Sequence, residues 1–340
     1  MLRSFLVFIF LMGAYWLQGQ TKPNFFPEDI NLNTDEVELR CFCEPGVRYK
    51  SRTKGLEITY STMTNSVFEP EEPTILSQPY SSFENQQQIK FDLKFPLINR
   101  DNFKLFVGYR YFSEFYQFDQ IGVDYTETFT MLDQRNLKSN SVTAIMVKPI
   151  NETQYLVGRL AYSSNGNYES WMNWDSKYGI FNALTAFTVK PHDFLEWGVG
   201  LNISNSFRRT SFIPFFIYNR TFNERWGLEA IFPGFVFGRY NINPYNILLF
   251  GVEYDSRSYL MEVSGSGQSS FDYALNRSAF QSSVRLEHRF APWVWGNFKL
   301  GYQINFSSDF EAKSALMPSF LVEPTNSIFM HIGLFLSPPR

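Results

Sequence analysis

The chain has 340 residues, a formal net charge of -3 and only two cysteines. That charge excludes a basic field for a nucleic-acid partner, and two cysteines are too few for a disulfide scaffold. Hydrophobic residues make up 44% and aromatics 19%, with phenylalanine alone occurring 37 times, a load suited to strands and membrane interfaces.

The first 20 residues read as a signal peptide: Arg3 supplies a positive start, Ser4 to Leu17 is mostly apolar, and Gln18-Gly19-Gln20 offers a cut site. An uncleaved anchor is the alternative, but the apolar run falls short of the ~20 residues a span needs. Residues 21–45, with Pro23, Pro27 and Pro45, read as an irregular periplasmic arm. Cys41 and Cys43, one residue apart, make a poor metal pair, and a disulfide between them would be strained. No later stretch reaches 18 apolar residues, so a helical span is not expected beyond the leader.

From residue 46 to 340 the hydropathy repeats with period two. In the segment Gln88 to Leu97, Ile89, Phe91, Leu93, Phe95 and Leu97 alternate with Lys90, Asp92 and Lys94. Successive side chains of a strand point to opposite faces, so this strand has one apolar and one charged side. Leu195 to Ile203 repeats the pattern with Glu196 on the polar face, and Val284 to Phe290 does so with Arg285, Glu287 and Arg289. Phe298, Leu300, Tyr302, Ile304 and Phe306 alternate with Asn297, Lys299, Gln303 and Asn305, and the run Ile328 to Leu336 closes the chain. None fits the three-and-four spacing of a helix.

Turn signals punctuate the runs at Asn99–Asn102, Pro149–Glu152, Lys190–Asp193, Asn223–Arg225, Asn243–Asn246, Ala291-Pro292 and Glu323–Asn326. Longer polar connections are expected near residues 65–86, 118–136, 164–177 and 262–278. Residues Trp226 to Tyr254 read as three strands around Phe232-Pro233-Gly234 and the Asn243 turn. Short turns alternating with long loops predict an all-β fold: an antiparallel up-and-down transmembrane barrel of about 14 strands, with 12 to 16 the working range. A barrel that wide is hard to fill with apolar side chains. The apolar faces therefore point out to outer-membrane lipid, and the lumen is lined by Lys90, Asp92, Lys94, Glu196, Arg285, Glu287, Arg289 and Lys299. Trp197, Trp226, Trp293 and Trp295, beside short turns, form the expected interfacial girdle.

The strand Leu105-Phe106-Val107-Gly108-Tyr109-Arg110-Tyr111 and the run from Trp226 through Phe232-Pro233 and Tyr240-Asn241 to Asn246 resemble the uncharacterised outer-membrane β-barrel proteins of Bacteroidota, a domain-of-unknown-function family. The resemblance spans residues 46 to 340. It implies a Gram-negative outer-membrane location, and it supplies neither an activity nor site residues. The final strand resembles the recognition strand read by the barrel-assembly machinery, although the chain ends Ser337-Pro338-Pro339-Arg340.

Chemistry is sparse. The three histidines, His192, His288 and His331, have no serine and orienting acid placed beside them in sequence, so no catalytic residue is assigned. No phosphate loop, paired-histidine zinc motif or calcium loop occurs, and neither a metal nor a cofactor is expected. Gly265-Ser266-Gly267 reads as loop flexibility. Asp119, Asp124, Glu127 and Asp133 make one loop acidic. Trp171 and Trp174, with Asn165, Asn167 and Asn173, make another aromatic and amide-rich, a surface for a sugar ring or a self-packed loop. The expected function is a porin-like passive channel for small solutes, with a structural or surface-binding barrel acting through its loops as the alternative; in neither is it an enzyme.

Overall fold

The computed structural model describes residues 46–70, 81–123, 125–264, 270–314 and 317–337. Residues 1–45, where a signal peptide and an arm with both cysteines are expected, Asp124 and Gly265-Ser266-Gly267 lie outside the described residues. Strands dominate: β1 (Leu56–Pro70), β2 (Ser81–Arg100), β3 (Phe103–Gln120), β4 (Leu137–Pro149), β5 (Gln154–Gly166), β6 (Gly179–His192), β7 (Leu195–Asn205), β8 (Thr210–Thr221), β9 (Trp226–Phe232), β10 (Phe235–Asn243), β11 (Asn246–Ser264), β12 (Ser270–Arg289), β13 (Val294–Ala312), β14 (Phe320–Pro324) and β15 (Ser327–Leu336). One helix, α1 (Thr126–Gln134), sits between β3 and β4.

Consecutive strands pair antiparallel throughout β1 to β13. β14 and β15 each pair with β13 on one side and β1 on the other. They are two halves of one stave, so the chain is a closed antiparallel barrel of fourteen staves, the number the periodicity predicts. Glu323–Asn326, expected as a turn between strands, instead interrupts this last stave. Pro324 has no N–H to give the ladder. Neighbours take up the break: Thr325 N donates to Val67 O, and Asn305 N donates to Asn326 Oδ1.

The other short turns join strands at one end of the barrel, where Leu56 and Leu336 also lie paired. At the opposite end the strands run further than expected: β1 reaches Pro70, β2 starts at Ser81, β11 reaches Ser264 and β12 starts at Ser270. Polar residues there pair in register, as in Thr64↔Asn85 and Glu262↔Asp272. Where the outward face meets water, the two-residue contrast fades and a strand looks like a loop.

The wall is uneven. β2, β3, β11, β12 and β13 run 18 to 20 residues, whereas β9 has seven and β10 nine. Above that low hairpin, β5 crosses to meet β11: Gly166 pairs with Leu260, Asn165 Nδ2 donates to Ser258 O at 3.0 Å, and Asn167 bonds both backbone groups of Glu262 at 2.8 Å. The loop end is thus a narrower ring of nine staves, β11 to β13, the β14 half, and β1 to β5.

The outward faces are apolar on almost every stave: Ile58, Ile89, Leu160, Val199, Phe216, Val252, Val284, Leu300 and Ile332 are all exposed. So extensive an apolar surface is not that of a water-soluble monomer. Inside the nine-stave ring, Phe68, Phe83, Leu137, Met261, Leu275, Phe310 and Val322 form an apolar core with Phe129 and Leu132 of α1 inserted among them. The acidic loop read at 118–136 is therefore largely this plug helix. Its Asp133 accepts from Phe118 N at 3.0 Å, and no group of three or more metal-type side chains occurs among the described residues.

Candidate functional site: the lumen

At the turn end, residues 46–55 precede β1 and lie in the barrel mouth rather than in its wall. Val47 is fully buried. Ser51 donates twice to Glu229, from N at 2.8 Å and from Oγ at 2.5 Å. Arg48 N donates to Asp193 O at 2.7 Å, Thr221 Oγ1 donates to Arg48 O at 2.5 Å, and Asn241 Nδ2 donates to Tyr49 O at 3.1 Å. Outside, the Arg48 guanidinium lies 3.3 Å from the Asp193 carboxylate. The hydrogen bond from Lys190, reinforced by the charges of Lys190 and Arg48, holds the Asp193 carboxyl below its ordinary value despite some burial.

Between this segment and the apolar plug runs a belt of ionic side chains. Glu57 is shared by Lys54 at 2.6 Å and Lys90 at 2.7 Å. Arg110 pairs with Asp92 at 2.6 Å. Glu253 is shared by Lys299 and, at 3.8 Å, Arg285; Glu287 lies 3.7 Å from Lys54 and 4.0 Å from Arg285. Lys94 faces inward over the Phe106 ring at 6.0 Å. Glu196, fully buried, accepts from Tyr155 Oη and from Asn219 Nδ2.

Two expectations need correction. Trp295 is not on the girdle: it is 1% exposed, stacks on Phe335 at 6.1 Å and carries Arg52 over its ring at 4.8 Å. Its parity is that of Asn297 and Lys299, so the pleat turns it inward. Arg289 shares the inward phase of Arg285 and Glu287 but is the last residue of β12. It reaches the turn instead, donating to Ala291 O at 3.3 Å and lying over Tyr245 at 5.7 Å. Trp197, Trp226 and Trp293 are exposed at the turn end beside Phe222, Tyr245 and Phe290.

The sequence reading missed Glu57, Arg110, Arg159, Glu253 and Arg257. Each stands on an inward phase, and the runs of Arg110, Arg159, Glu253 and Arg257 carry aromatic residues on both phases, which blurs the alternation. It also missed that Ser61 Oγ and His331 Nδ1 meet at 2.9 Å as a directly opposed cross-strand pair. In the amide-rich loop, Asn165 and Asn167 are spent on β11, while Trp174 stacks on Tyr162 and Trp171 stays exposed.

The belt lines two cavities, of about 140 Å³ toward the mouth and about 230 Å³ toward the plug, which share Lys54, Glu57, Arg110, Arg159 and Arg285. Together their walls carry ten basic residues (Lys50, Arg52, Lys54, Lys90, Lys94, Arg110, Arg159, Arg257, Arg285 and Lys299) against six acids (Glu57, Asp92, Glu229, Glu253, Asp255 and Glu287). The interior is net positive although the whole chain is net negative.

A closed barrel that is apolar outside and ionic inside is the transmembrane β-barrel class of architecture. Within that class the chain belongs to the family described as Domain of unknown function (DUF6268), which matches residues 55–334. Among curated proteins none matches. Solved structures of similar shape include a FadL homologue of Pseudomonas aeruginosa (8% identity, TM-score 0.40, 82% of this chain and 89% of that one). They also include an outer membrane channel from Pseudomonas putida F1 (11%, 0.39, 86% and 99%) and the P. putida toluene transporter TodX (7%, 0.37, 84% and 90%). At these identities the likeness is one of barrel architecture alone.

Proposed function

We propose that this protein spans the outer membrane of a Gram-negative bacterium and acts as a channel for small solutes, with both ends of its lumen closed by its own chain. The observation that carries this reading is the pair of adjoining, ion-lined cavities inside a barrel whose outside is apolar. Outer-membrane lipid meets the exposed faces, and Trp197, Trp226 and Trp293 sit in one interface. The barrel-assembly machinery is the expected partner in biogenesis. The plug helix α1 and residues 46–55 are the two gates. The role in this reading is non-enzymatic, and the cation Lys299 as the register partner of His331 in β13 supports it over a serine hydrolase, which needs an orienting carboxylate on its histidine.

Planar-bilayer recording tests the proposal. The wild type gives small or infrequent conductance steps. Replacing Phe129 and Leu132 by alanine loosens the plug, and larger or more frequent steps follow. If neither protein conducts, while heat-modifiable gel mobility shows both folded, the channel reading fails and the barrel is a structural or surface-binding module acting through its loops.

A further inference from the structure

The larger cavity has two unlike walls. β4 to β7 contribute hydroxyls and amides: Ser139, Ser141, Ser163, Asn182, Ser204 and Ser206. Cations line the rest of it: Arg257, Arg285 and Lys299 from β11 to β13, Lys90 and Arg110 from β2 and β3, and Arg159 from β5. β5 and β6 lie seven staves from β12 and β13 in a ring of fourteen, so Arg285 and Lys299 stand opposite the hydroxyls, whereas Arg110 is the register partner of Ser141 and Arg159 shares β5 with Ser163. Glu57 and Glu253 each serve two bases and so leave a net positive charge, while Arg110 is paired one to one with Asp92.

Two side chains on this cavity point to more than a bare ion. Gln88 and Asn182 are 6% and 7% exposed, and Gln88 Nε2 and Asn182 Oδ1 have no hydrogen-bond partner. A buried donor or acceptor left unpaired costs about 1–3 kcal/mol, so each is primed for a ligand group. The Gln88 amide N–H needs an acceptor, which an anion or a hydroxyl supplies. Asn182 Oδ1 needs a donor, which an ionised carboxylate or phosphate oxygen cannot supply and a hydroxyl can. The volume of about 230 Å³ falls below the ~300–1,000 Å³ usual for drug-sized ligands. It suits one sugar-sized ring.

We propose that the larger cavity is a binding site for a single small polyhydroxylated anion, one ring or short chain bearing a carboxylate or phosphate, its charge against Arg159, Arg110 and Lys299 and its hydroxyls against Gln88 and Asn182. This deepens the channel reading by naming the class of solute, and its test is separable from conductance. Isothermal titration calorimetry on the full-length protein folded in detergent compares glucuronate, glucose 6-phosphate, glucose and acetate. Glucuronate, glucose 6-phosphate or both bind, and glucose and acetate bind at least about tenfold more weakly. Losing one charge-assisted hydrogen bond is worth roughly tenfold to a hundredfold in affinity, so Arg159→Gln weakens the anionic sugar by that order. Asn182→Ala, which removes no charge, weakens the sugar and leaves acetate unchanged. The site is overturned if folded wild type takes up neither anionic sugar, or takes up glucose equally well. Acetate matching glucuronate overturns the hydroxyl half. Conductance without binding removes the site and keeps the channel; binding without conductance does the reverse.

Discussion

Leu300→Arg tests which solvent the barrel wall faces. Leu300 lies in β13 six residues beyond Val294, the first residue of the strand at the turn end. At ~3.3 Å per residue and a stave tilt of ~40°, that places it about 15 Å up the wall, close to the middle of an apolar band about 25 Å tall. Its register partners are Val284 and Met330, both outward-facing and exposed, so no acid waits beside a new guanidinium. Arginine at that depth costs about 2–4 kcal/mol, and about 0–1 kcal/mol near an interface. Leu336→Arg, the same change at the end of β15 beside Val294, is the shallow control. Urea titration of folding into phosphatidylcholine vesicles, followed by tryptophan fluorescence and gel mobility, reads both variants. The expected result is a folding constant lowered about 30- to 1,000-fold at position 300 and less than about tenfold at 336. Equal losses at the two depths, or a loss below ~1 kcal/mol at Leu300, would show that the outer face does not meet hydrocarbon.

Glu229→Ala removes the carboxylate 3.4 Å from the Arg239 guanidinium, which has no solvent exposure, and releases Ser51 of the mouth segment. Breaking a buried pair from one side costs about 3–5 kcal/mol, read as a lower urea midpoint. Gly251→Ala builds a Cβ onto the Val236 carbonyl and the Phe237 Cα of β10, backbone that cannot swing aside, and should cost about 1–3 kcal/mol by the same assay. Asp193 has a folded pKa below its ordinary value, so its tie to Arg48 and Lys190 contributes above the unfolded value of about 3.9 and is lost as pH falls through the folded one. The pair is half exposed and worth about 0–1 kcal/mol, so acid should weaken hydrogen-exchange protection only across residues 46–55. Asp193→Asn should remove that pH dependence; protection still falling with acid in this variant would assign the effect elsewhere.

The wall of this protein was legible in its sequence because the pleat writes burial into alternate residues. Ile89 to Leu97 and Phe298 to Phe306 give strand, facing and stave number together. Trp295 shows that the same rule holds against composition: its parity with Lys299 was available, and weighting it as an interfacial tryptophan gave the wrong face. The contents of the barrel were not legible. α1 spans nine residues, too few for a helical period to stand out, and its Phe129 and Leu132 look like loop residues until β1, β11 and β13 surround them. Residues 46–55 have neither alternation nor helical spacing, because their partners are Glu229, Thr221 and Asn241, nearly two hundred positions away. Which acid meets which base depends on register across staves, a long-range quantity that local pattern does not carry.

The two kinds of interior follow from the two ring sizes. A barrel of about eight strands is just wide enough for side chains to fill, and a wider one leaves space. Where β5 meets β11 the ring has nine staves, and apolar side chains with one short helix fill it. Below, the full ring of fourteen exceeds what side chains can span. There ionic and hydroxyl side chains pair along the wall and keep water, and the apolar residues that face inward, such as Phe106, Ile145 and Leu184, pack on one another along it. The five staves β6 to β10, bypassed by the β5–β11 contact, therefore separate a plugged loop end from a hydrated chamber, since that contact is where fourteen staves give way to nine.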